Sequence, residues 1–210
     1  MTSPMLRMIM QSTLLCGALL SSHMAMAKTI LVLGDSISAG YGIRPEQGWV
    51  NKLQQRLNTA PYATGQHHVI NASVSGETSS GGLARLPLLL TKHKPDVVVI
   101  ELGGNDGLRG QPPALMANNL TRLIQMTQAK KADVILLGMK IPPNYGSAYT
   151  QAFEQVFPSV SKKTNVALMP FFLDGVAGHT TLMQADRIHP RAEAQTILLD
   201  NAWPLIKDKL

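Results

Sequence analysis

The sequence predicts an α/β protein, a three-layer α/β/α sandwich around a five-stranded parallel sheet. Short apolar runs alternate with longer segments in which apolar residues recur every three or four positions. This alternation is typical of parallel strands covered by helices. The run at residues 96–102 is apolar almost throughout, as expected for a strand buried on both faces. No repeat, low-complexity tract or linker divides the 210 residues, so the length favours one domain.

The five strands are predicted where short runs rich in β-branched or other apolar residues are bounded by polar or turn-forming residues. Residues 96–102 form the clearest of them. The predicted strands cover residues 29–33, 67–71, 96–102, 134–137 and 166–169.

Helices are predicted between the strands. The first covers residues 45–58, because Pro45 suits a first helical turn and Trp49, Leu53 and Leu57 recur every four residues. Prolines lie inside three of the later helices, where they remove a backbone donor. We expect Pro87 to kink or divide its helix, Pro158 to interrupt the next but one, and Pro204 to lie inside the last. These later helices are predicted over residues 78–92, 113–130, 148–163 and 191–207.

The N-terminus predicts a secretory signal peptide over residues 1–27. Arg7 precedes an apolar run at residues 8–20, and Ala25-Met26-Ala27 supplies the small residues of a cleavage site. We expect cleavage after Ala27, a single mature domain over residues 28–210, and a periplasmic or secreted protein. A membrane anchor is the alternative, but the apolar run is short for a span of about 20 residues. A lipid-modified Cys16 is a lesser one, because the bulky Leu15 precedes it.

Composition narrows the classes of partner. The formal net charge is +6 and the only cysteine is Cys16, so the mature chain has no disulfide and no thiolate metal site. The basic residues are scattered and lack interleaved aromatic residues, which does not favour nucleic-acid binding. A basic surface suits an anionic partner, including phospholipid headgroups. No further apolar run is long enough for a stable membrane span.

The first strand runs directly into Gly34-Asp35-Ser36. Gly34 permits a sharp turn, and the Asp35 side chain can accept a hydrogen bond from nearby backbone. Ser36 then lies at the carboxyl end of a strand, where open α/β sheets bind their ligands. Taken alone, this segment favours an ordinary polar loop after a strand. Three further loops supply what acyl transfer would need beside a nucleophilic serine.

The most informative of these loops is Asp186-Arg187-Ile188-His189-Pro190. A carboxylate three residues before a histidine can reach its Nδ1–H and fix the tautomer, which leaves Nε2 free to accept the Ser36 proton. The alternatives are a surface histidine or a metal site. Asp186 and His189 supply only two ligands, and no other cluster completes a metal set.

Two glycine-containing loops follow the second and third strands. Gly76 lets the backbone approach a ligand closely, so its N–H is a candidate donor to an oxyanion. Asn105 follows two glycines that give its side-chain NH₂ room to enter the site, and a neutral amide donates without competing for the proton. Alone, each loop is also compatible with an ordinary turn. We interpret Asp106 as structural and Glu101 as a tie to the loop backbone, close enough to the site to be functional.

Familiar alternatives are absent from the sequence. It has no Gly-x-Gly-x-x-Gly after a strand and no Gly-x-x-x-x-Gly-Lys, so nucleotide binding is not favoured. Ser36 is not in a Gly-x-Ser-x-Gly elbow, which argues against the common α/β-hydrolase arrangement.

Together, these four ordered blocks resemble the SGNH hydrolase (GDSL-type esterase/lipase) family. Within it, the chain is most similar to the periplasmic group with acyl-CoA thioesterase I, lysophospholipase L1 and arylesterase activities. The chain departs from that group at Arg187, where a small residue is usual, and at Arg191, where Asn is frequent. The resemblance covers nearly all of the mature chain and includes the segments LGDSISAGY, NASVSGET, GLARLP, ELGGNDGLRG and PNYG.

The resemblance implies a flavodoxin-like sandwich that hydrolyses esters and thioesters without a cofactor or a metal. It assigns Ser36 as nucleophile, His189 as base and Asp186 as the group that orients it. The oxyanion hole would comprise the N–H groups of Ser36 and Gly76 and the Asn105 side chain. The family's mobile substrate loop corresponds to Pro142, Pro143, Asn144, Tyr145 and Gly146.

The expected substrate is a small-molecule acyl ester or thioester, with lysophospholipid among the candidates, and we expect a monomer. A carbohydrate O-acetyl esterase is the alternative within enzymes, since it can use the same triad with a smaller pocket. A non-catalytic binding module on a flavodoxin-like fold is the alternative from another class.

Overall fold

The computed structural model describes residues 27–210. The predicted signal peptide, including Arg7 and Cys16, lies outside the described residues apart from Ala27. Within residues 27–210, none of the helices has the length and apolar character needed to cross a membrane.

A single five-stranded parallel sheet forms the middle layer, which confirms the predicted fold class. Its spatial order is β2-β1-β3-β4-β5. The chain moves from β1 outward to β2 and then returns to pair β3 on the other side of β1. The point where strand order reverses therefore lies between β1 and β3, where ligands bind in open α/β sheets. The strands are β1 Thr29–Gly34, β2 His68–Asn71, β3 Val97–Glu101, β4 Asp133–Leu137 and β5 Ala167–Met169.

Helices cover the sheet in two groups. The third, fifth and sixth helices pack side by side, and the second packs against the seventh. The helices are α1 Ser36–Ala39, α2 Trp49–Leu57, α3 Ser79–His93, α4 Gly104–Leu108, α5 Pro113–Gln128, α6 Ser147–Thr164 and α7 Gln195–Lys207. Single turns of 3₁₀ helix cover Pro45–Gln47, Ala63–Gly65, Pro143–Tyr145 and Ala192–Ala194.

Two predicted helices begin later than expected. The segment predicted as one helix over 45–58 starts with a 3₁₀ turn, and extended backbone at Gly48 (φ −64°, ψ 149°) separates that turn from α2. The last helix, predicted from residue 191, begins at Gln195 after another 3₁₀ turn. The apolar repeat of the first helix itself starts at Trp49, where α2 begins, and only the proline signal placed the predicted start at residue 45.

Proline does not divide the helices as predicted. α3 continues through Pro87 and α6 continues through Pro158. A helix can lose one backbone hydrogen bond when packing holds the turns on both sides of the proline. Leu86 and Leu90 are buried around Pro87, and Phe157 is fully buried next to Pro158.

The core lies between the sheet and the helices. The apolar side chains of β1 and β3 are completely buried, as their sequence pattern predicts. The edge strands β2 and β5 are only partly buried. The largest fully buried side chains are those of Trp49, Phe153, Phe157 and Phe172. This packing fixes the carboxyl ends of β1 and β3, from which the loops of the site emerge.

Candidate active site

Ser36 is the first residue of α1, immediately beyond β1. Asp35 caps this helix, and its Oδ1 accepts the Ile37 N–H at 3.0 Å, as the turn chemistry predicts. The four-residue helix ends at Gly40, whose φ of 76° is left-handed. Because Ser36 opens the helix, its own N–H has no acceptor within that helix.

His189 brings its imidazole to the Ser36 hydroxyl. Its Nε2 lies 2.8 Å from Ser36 Oγ, across 153 positions of sequence. Its Nδ1 lies 2.7 Å from Asp186 Oδ2. A carboxylate only accepts hydrogen bonds, so Nδ1 carries the proton and Nε2 accepts the Ser36 O–H. The structure thus assembles a continuous chain from the Asp186 carboxylate to the Ser36 hydroxyl.

The loop that carries Asp186 and His189 is organised around the carboxylate. Asp186 Oδ1 accepts the N–H groups of Ile188 at 2.9 Å and His189 at 3.0 Å. Arg187, which lies between Asp186 and Ile188, adopts a left-handed φ of 59°. Burial alone would raise the pKa of Asp186. The hydrogen bonds from the His189 backbone and ring and from Ile188 outweigh it and lower that pKa to about 2. Asp186 is therefore ionised at neutral pH, as an orienting group for an imidazole must be.

Two buried carboxyl groups, those of Asp35 and Glu101, lie behind Ser36. Glu101, the last residue of β3, is completely buried, and its Oε2 accepts the Ser38 hydroxyl at 2.6 Å and the Asp35 N–H at 3.3 Å. Trp49 Nε1 in turn donates to Ser38 Oγ at 3.1 Å. Glu101 therefore ties the nucleophile turn to the neighbouring strand, as the sequence predicted.

Burial is the largest cause of the raised pKa of both Asp35 and Glu101. It raises the pKa of Asp35 to about 6, against hydrogen bonds from Ile37 and Asn105 and the charge of His189. Burial, followed by the charge of Asp35, holds the pKa of Glu101 well above its ordinary value. Among the described residues, Glu101 Oε1 has no hydrogen-bond partner. When both carboxyl groups ionise, their negative charges repel each other next to Ser36.

Asn105 lies beside this pair. Its Nδ2 donates to Asp35 Oδ2 at 3.0 Å and to the Glu77 carbonyl at 3.0 Å. Both of its N–H hydrogens thus have partners, although its sequence context predicts an NH₂ group aimed into the site. Donation to a reacting oxygen requires that one of these bonds be shared or exchanged.

Gly76 has the backbone freedom that the sequence predicted for it. Its φ is 77°, a conformation that favours glycine. Arg109 Nη2 donates to its carbonyl at 3.0 Å, a contact that nothing in the sequence indicated. Asp106 has the predicted structural role, because its carboxylate accepts the backbone and side-chain donors of Ser79.

The segment Pro142–Gly146 forms a 3₁₀ turn near α4. The Tyr145 hydroxyl donates to the Leu108 carbonyl at 2.9 Å, so this loop is fastened to the helix that carries Asn105. Tyr145 remains 36% exposed, and Val74 (46%) and Ile188 (40%) are exposed apolar side chains in loops that border the site. Exposed apolar side chains around a reactive centre suit an apolar ligand.

Sequence reasoning missed Tyr41 and Gln184. The Tyr41 ring lies 4.4 Å from the His189 ring, centroid to centroid, with the planes at 38°. Gln184 borders an open cleft of about 680 Å³ beside the loops of Ser36 and His189, together with Gly42 and Arg191. Tyr41 stands within the nucleophile motif, which was a signal that it lies close to the site. No pattern in the sequence points to Gln184.

Comparison with known proteins places the chain in a family. The model of the GDSL-like Lipase/Acylhydrolase family matches residues 32–197. The chain is 52% identical to Esterase TesA of Pseudomonas aeruginosa, over 96% of this chain and 100% of the relative. It is 41% identical to Thioesterase 1/protease 1/lysophospholipase L1 of Escherichia coli K12, over 87% of this chain and 85% of the relative. A solved structure of the psychrotrophic esterase EstA of Pseudoalteromonas sp., inhibited by monoethylphosphonate, superposes with a TM-score of 0.81 at 45% identity, covering 86% of this chain and 97% of that one.

Proposed function

The chain belongs to the GDSL-like lipase/acylhydrolase family and is a hydrolase of ester and thioester bonds; we propose that Ser36 is its nucleophile, His189 its base and Asp186 the group that orients the base. The observation that carries this proposal is the chain of contacts from Asp186 Oδ2 through His189 to Ser36 Oγ, at 2.7 and 2.8 Å. These distances lie within the reach that proton transfer to a positioned base requires.

The proposed reaction has two halves. Ser36 Oγ attacks the acyl carbon while His189 Nε2 takes the hydroxyl proton, and the alcohol or thiol then leaves with that proton as the C–O or C–S bond breaks. Water attacks the resulting acyl-Ser36, again losing a proton to Nε2. The carboxylic acid departs, and the proton returns to Ser36 Oγ. No cofactor takes part in either half.

The proposed oxyanion hole comprises the N–H groups of Ser36 and Gly76 and the side chain of Asn105. The N–H of Ser36 has no intrahelical acceptor, and the left-handed conformation of Gly76 keeps a side chain away from the approaching oxygen. Asn105 would exchange its bond with Asp35 or Glu77 for one with the developing oxyanion.

For the substrate, we propose an acyl ester or thioester with an apolar chain, lysophospholipid included. The exposed side chains of Val74, Ile188 and Tyr145 support this proposal, since they offer apolar area next to the site. The loop Pro142–Gly146 would cover part of the chain. Rates on acetyl, octanoyl and palmitoyl esters test it, and a clear preference for acetyl would contradict it.

We also propose that residues 1–27 are a signal peptide and that residues 28–210 act as a monomer in the periplasm or outside the cell. The basic Arg7, the apolar run and the small residues up to Ala27 support this. The intact mass of protein recovered from the periplasm tests it, because cleavage leaves Lys28 as the first residue.

Ser36→Ala is the decisive variant. We expect kcat for a p-nitrophenyl ester to fall on the order of 10⁴-fold or more, with an unchanged melting temperature. A fluorophosphonate probe should add one label to the wild type and none to the variant. Ser159, exposed on α6, provides the control Ser159→Ala, which should retain both activity and labelling. Substantial turnover by Ser36→Ala would remove Ser36 from the nucleophile role.

A further inference from the structure

The catalytic hydrogen bond is accompanied by a second connection between the same two loops. The Tyr41 N–H donates to the Ser36 carbonyl at 3.0 Å. The Tyr41 carbonyl accepts Gln184 Nε2 at 2.7 Å. The Gln184 N–H donates to the His189 carbonyl at 2.8 Å. Three hydrogen bonds therefore join the backbone of Ser36 to that of His189, parallel to the contact between their side chains.

Gln184 is itself held firmly within the loop that carries His189. Its Nε2 also donates to the Pro190 carbonyl at 3.1 Å, and an isolated antiparallel bridge pairs Met183 with Pro190. Both side-chain N–H hydrogens thus have carbonyl acceptors, one in each loop. A neutral amide suits this position, because it supplies two donors without placing a charge near the imidazole.

The nucleophile loop makes room for this amide. A Cβ at Gly42 would lie 2.8 Å from Gln184 Nε2 and 2.9 Å from its Cδ, and the φ of Gly42 is 74°. Glycine at this position therefore allows the backbone to approach the amide closely.

Tyr41, whose carbonyl accepts the Gln184 amide, also contacts His189 directly. Tyr41 presents its ring to His189 at a centroid distance of 4.4 Å while the ring remains 53% exposed. Gln184 therefore contacts both the loop of His189 and the backbone of the residue whose ring lies against the imidazole.

We propose that Gln184 is a positioning residue that sets the distance between Ser36 Oγ and His189 Nε2, by fastening the loop of the base to the loop of the nucleophile. This role rests on the proposed function, since it presumes that the Ser36–His189 contact transfers the proton. A displacement of about 1 Å at a reacting pair can cost about 10²-fold in rate.

The test replaces Gln184 by Ala and, to keep its length without its donors, by Met. We expect kcat to fall by about 10- to 100-fold, with KM little changed and the melting temperature close to wild type. Labelling of Ser36 by the fluorophosphonate should slow in proportion. Gln55→Ala is the matched control: Gln55 is exposed on α2, and its amide donates to Asn51 at 2.8 Å, a partner that belongs to neither loop.

A double variant separates positioning from general destabilisation. In a His189→Ala background, Gln184→Ala should slow labelling no further, because the group it positions is gone. An additional loss in that background would overturn the proposal, as would wild-type kcat in both Gln184 variants. An active Ser36→Ala would instead overturn the proposed function, whereas an inactive Ser36→Ala beside a fully active Gln184→Ala overturns only the positioning role.

Discussion

Replacing Asp35 by Asn tests the electrostatic account of the nucleophile turn. Asp35 is 2% exposed, and burial raises its pKa from 3.8 to about 6. The folded state therefore binds more protons than the unfolded state between these values. The contribution of Asp35 to the stability of the folded state is fully present below pH 3.8 and is lost as the pH rises through about 6. Since one pH unit is worth about 1.4 kcal/mol, Asp35 alone lowers the free energy of unfolding by about 3 kcal/mol across this interval.

Asp35→Asn should remove this pH dependence. The substitution also changes the hydrogen bond with Asn105, but an amide does not titrate, so that cost is the same at every pH. As the pH rises from 4 to 8, the unfolding free energy of the variant should therefore increase by about 3 kcal/mol relative to that of the wild type. Burial, and after it the charge of Asp35, raise the pKa of Glu101, so removal of that charge acts in the same direction.

The assay is urea unfolding at several pH values, analysed as a difference between the two proteins. Asp186, whose pKa is lowered to about 2, contributes stability that is lost only as the pH falls below its ordinary value of 3.8. Its contribution is common to both proteins and cancels. Asp208→Asn, at an exposed position after α7, is the control. Parallel curves for wild type and Asp35→Asn from pH 4 to 8 would refute the reasoning.

Two further predictions concern the loops around the site. Asn105→Ala should lower kcat by about 10²–10³-fold with little change in KM, because it removes the proposed side-chain donor to the oxyanion, and a loss confined to KM would contradict that role. Gly103→Ala should lower the free energy of unfolding by about 1–3 kcal/mol in urea titrations, since a Cβ there would lie 2.8 Å from Met116 Sδ at a φ of 116°. Gly110→Ala is its control, with a φ of 66° but no atom within 4 Å of the added Cβ, and an equal cost at both positions would show that the packing contact is not responsible.

Much of the framework was accessible from local patterns. The apolar runs of β1 and β3 predicted buried central strands, and the motif blocks predicted which loops leave the strands near the site. The main errors were the division of α3 at Pro87 and the interruption of α6 at Pro158, because proline chemistry predicts a break that the buried neighbours of these two prolines prevent. Residue chemistry also selected Asp186 and His189, whose spacing allows a local contact.

The sequence by itself therefore determined where the five strands and the five longer helices lie along the chain and which chemical types are available at the carboxyl edge of the sheet, because burial periodicity and turn chemistry are local properties. Only the tertiary structure decided which donors meet which acceptors. Asn105 donates its two amide hydrogens to Asp35 and Glu77, and Gln184 donates to Tyr41 across 143 positions of sequence. Hydrogen bonds between loops depend on how the sheet brings their ends together to within fractions of an ångström. No spacing along the chain encodes that distance.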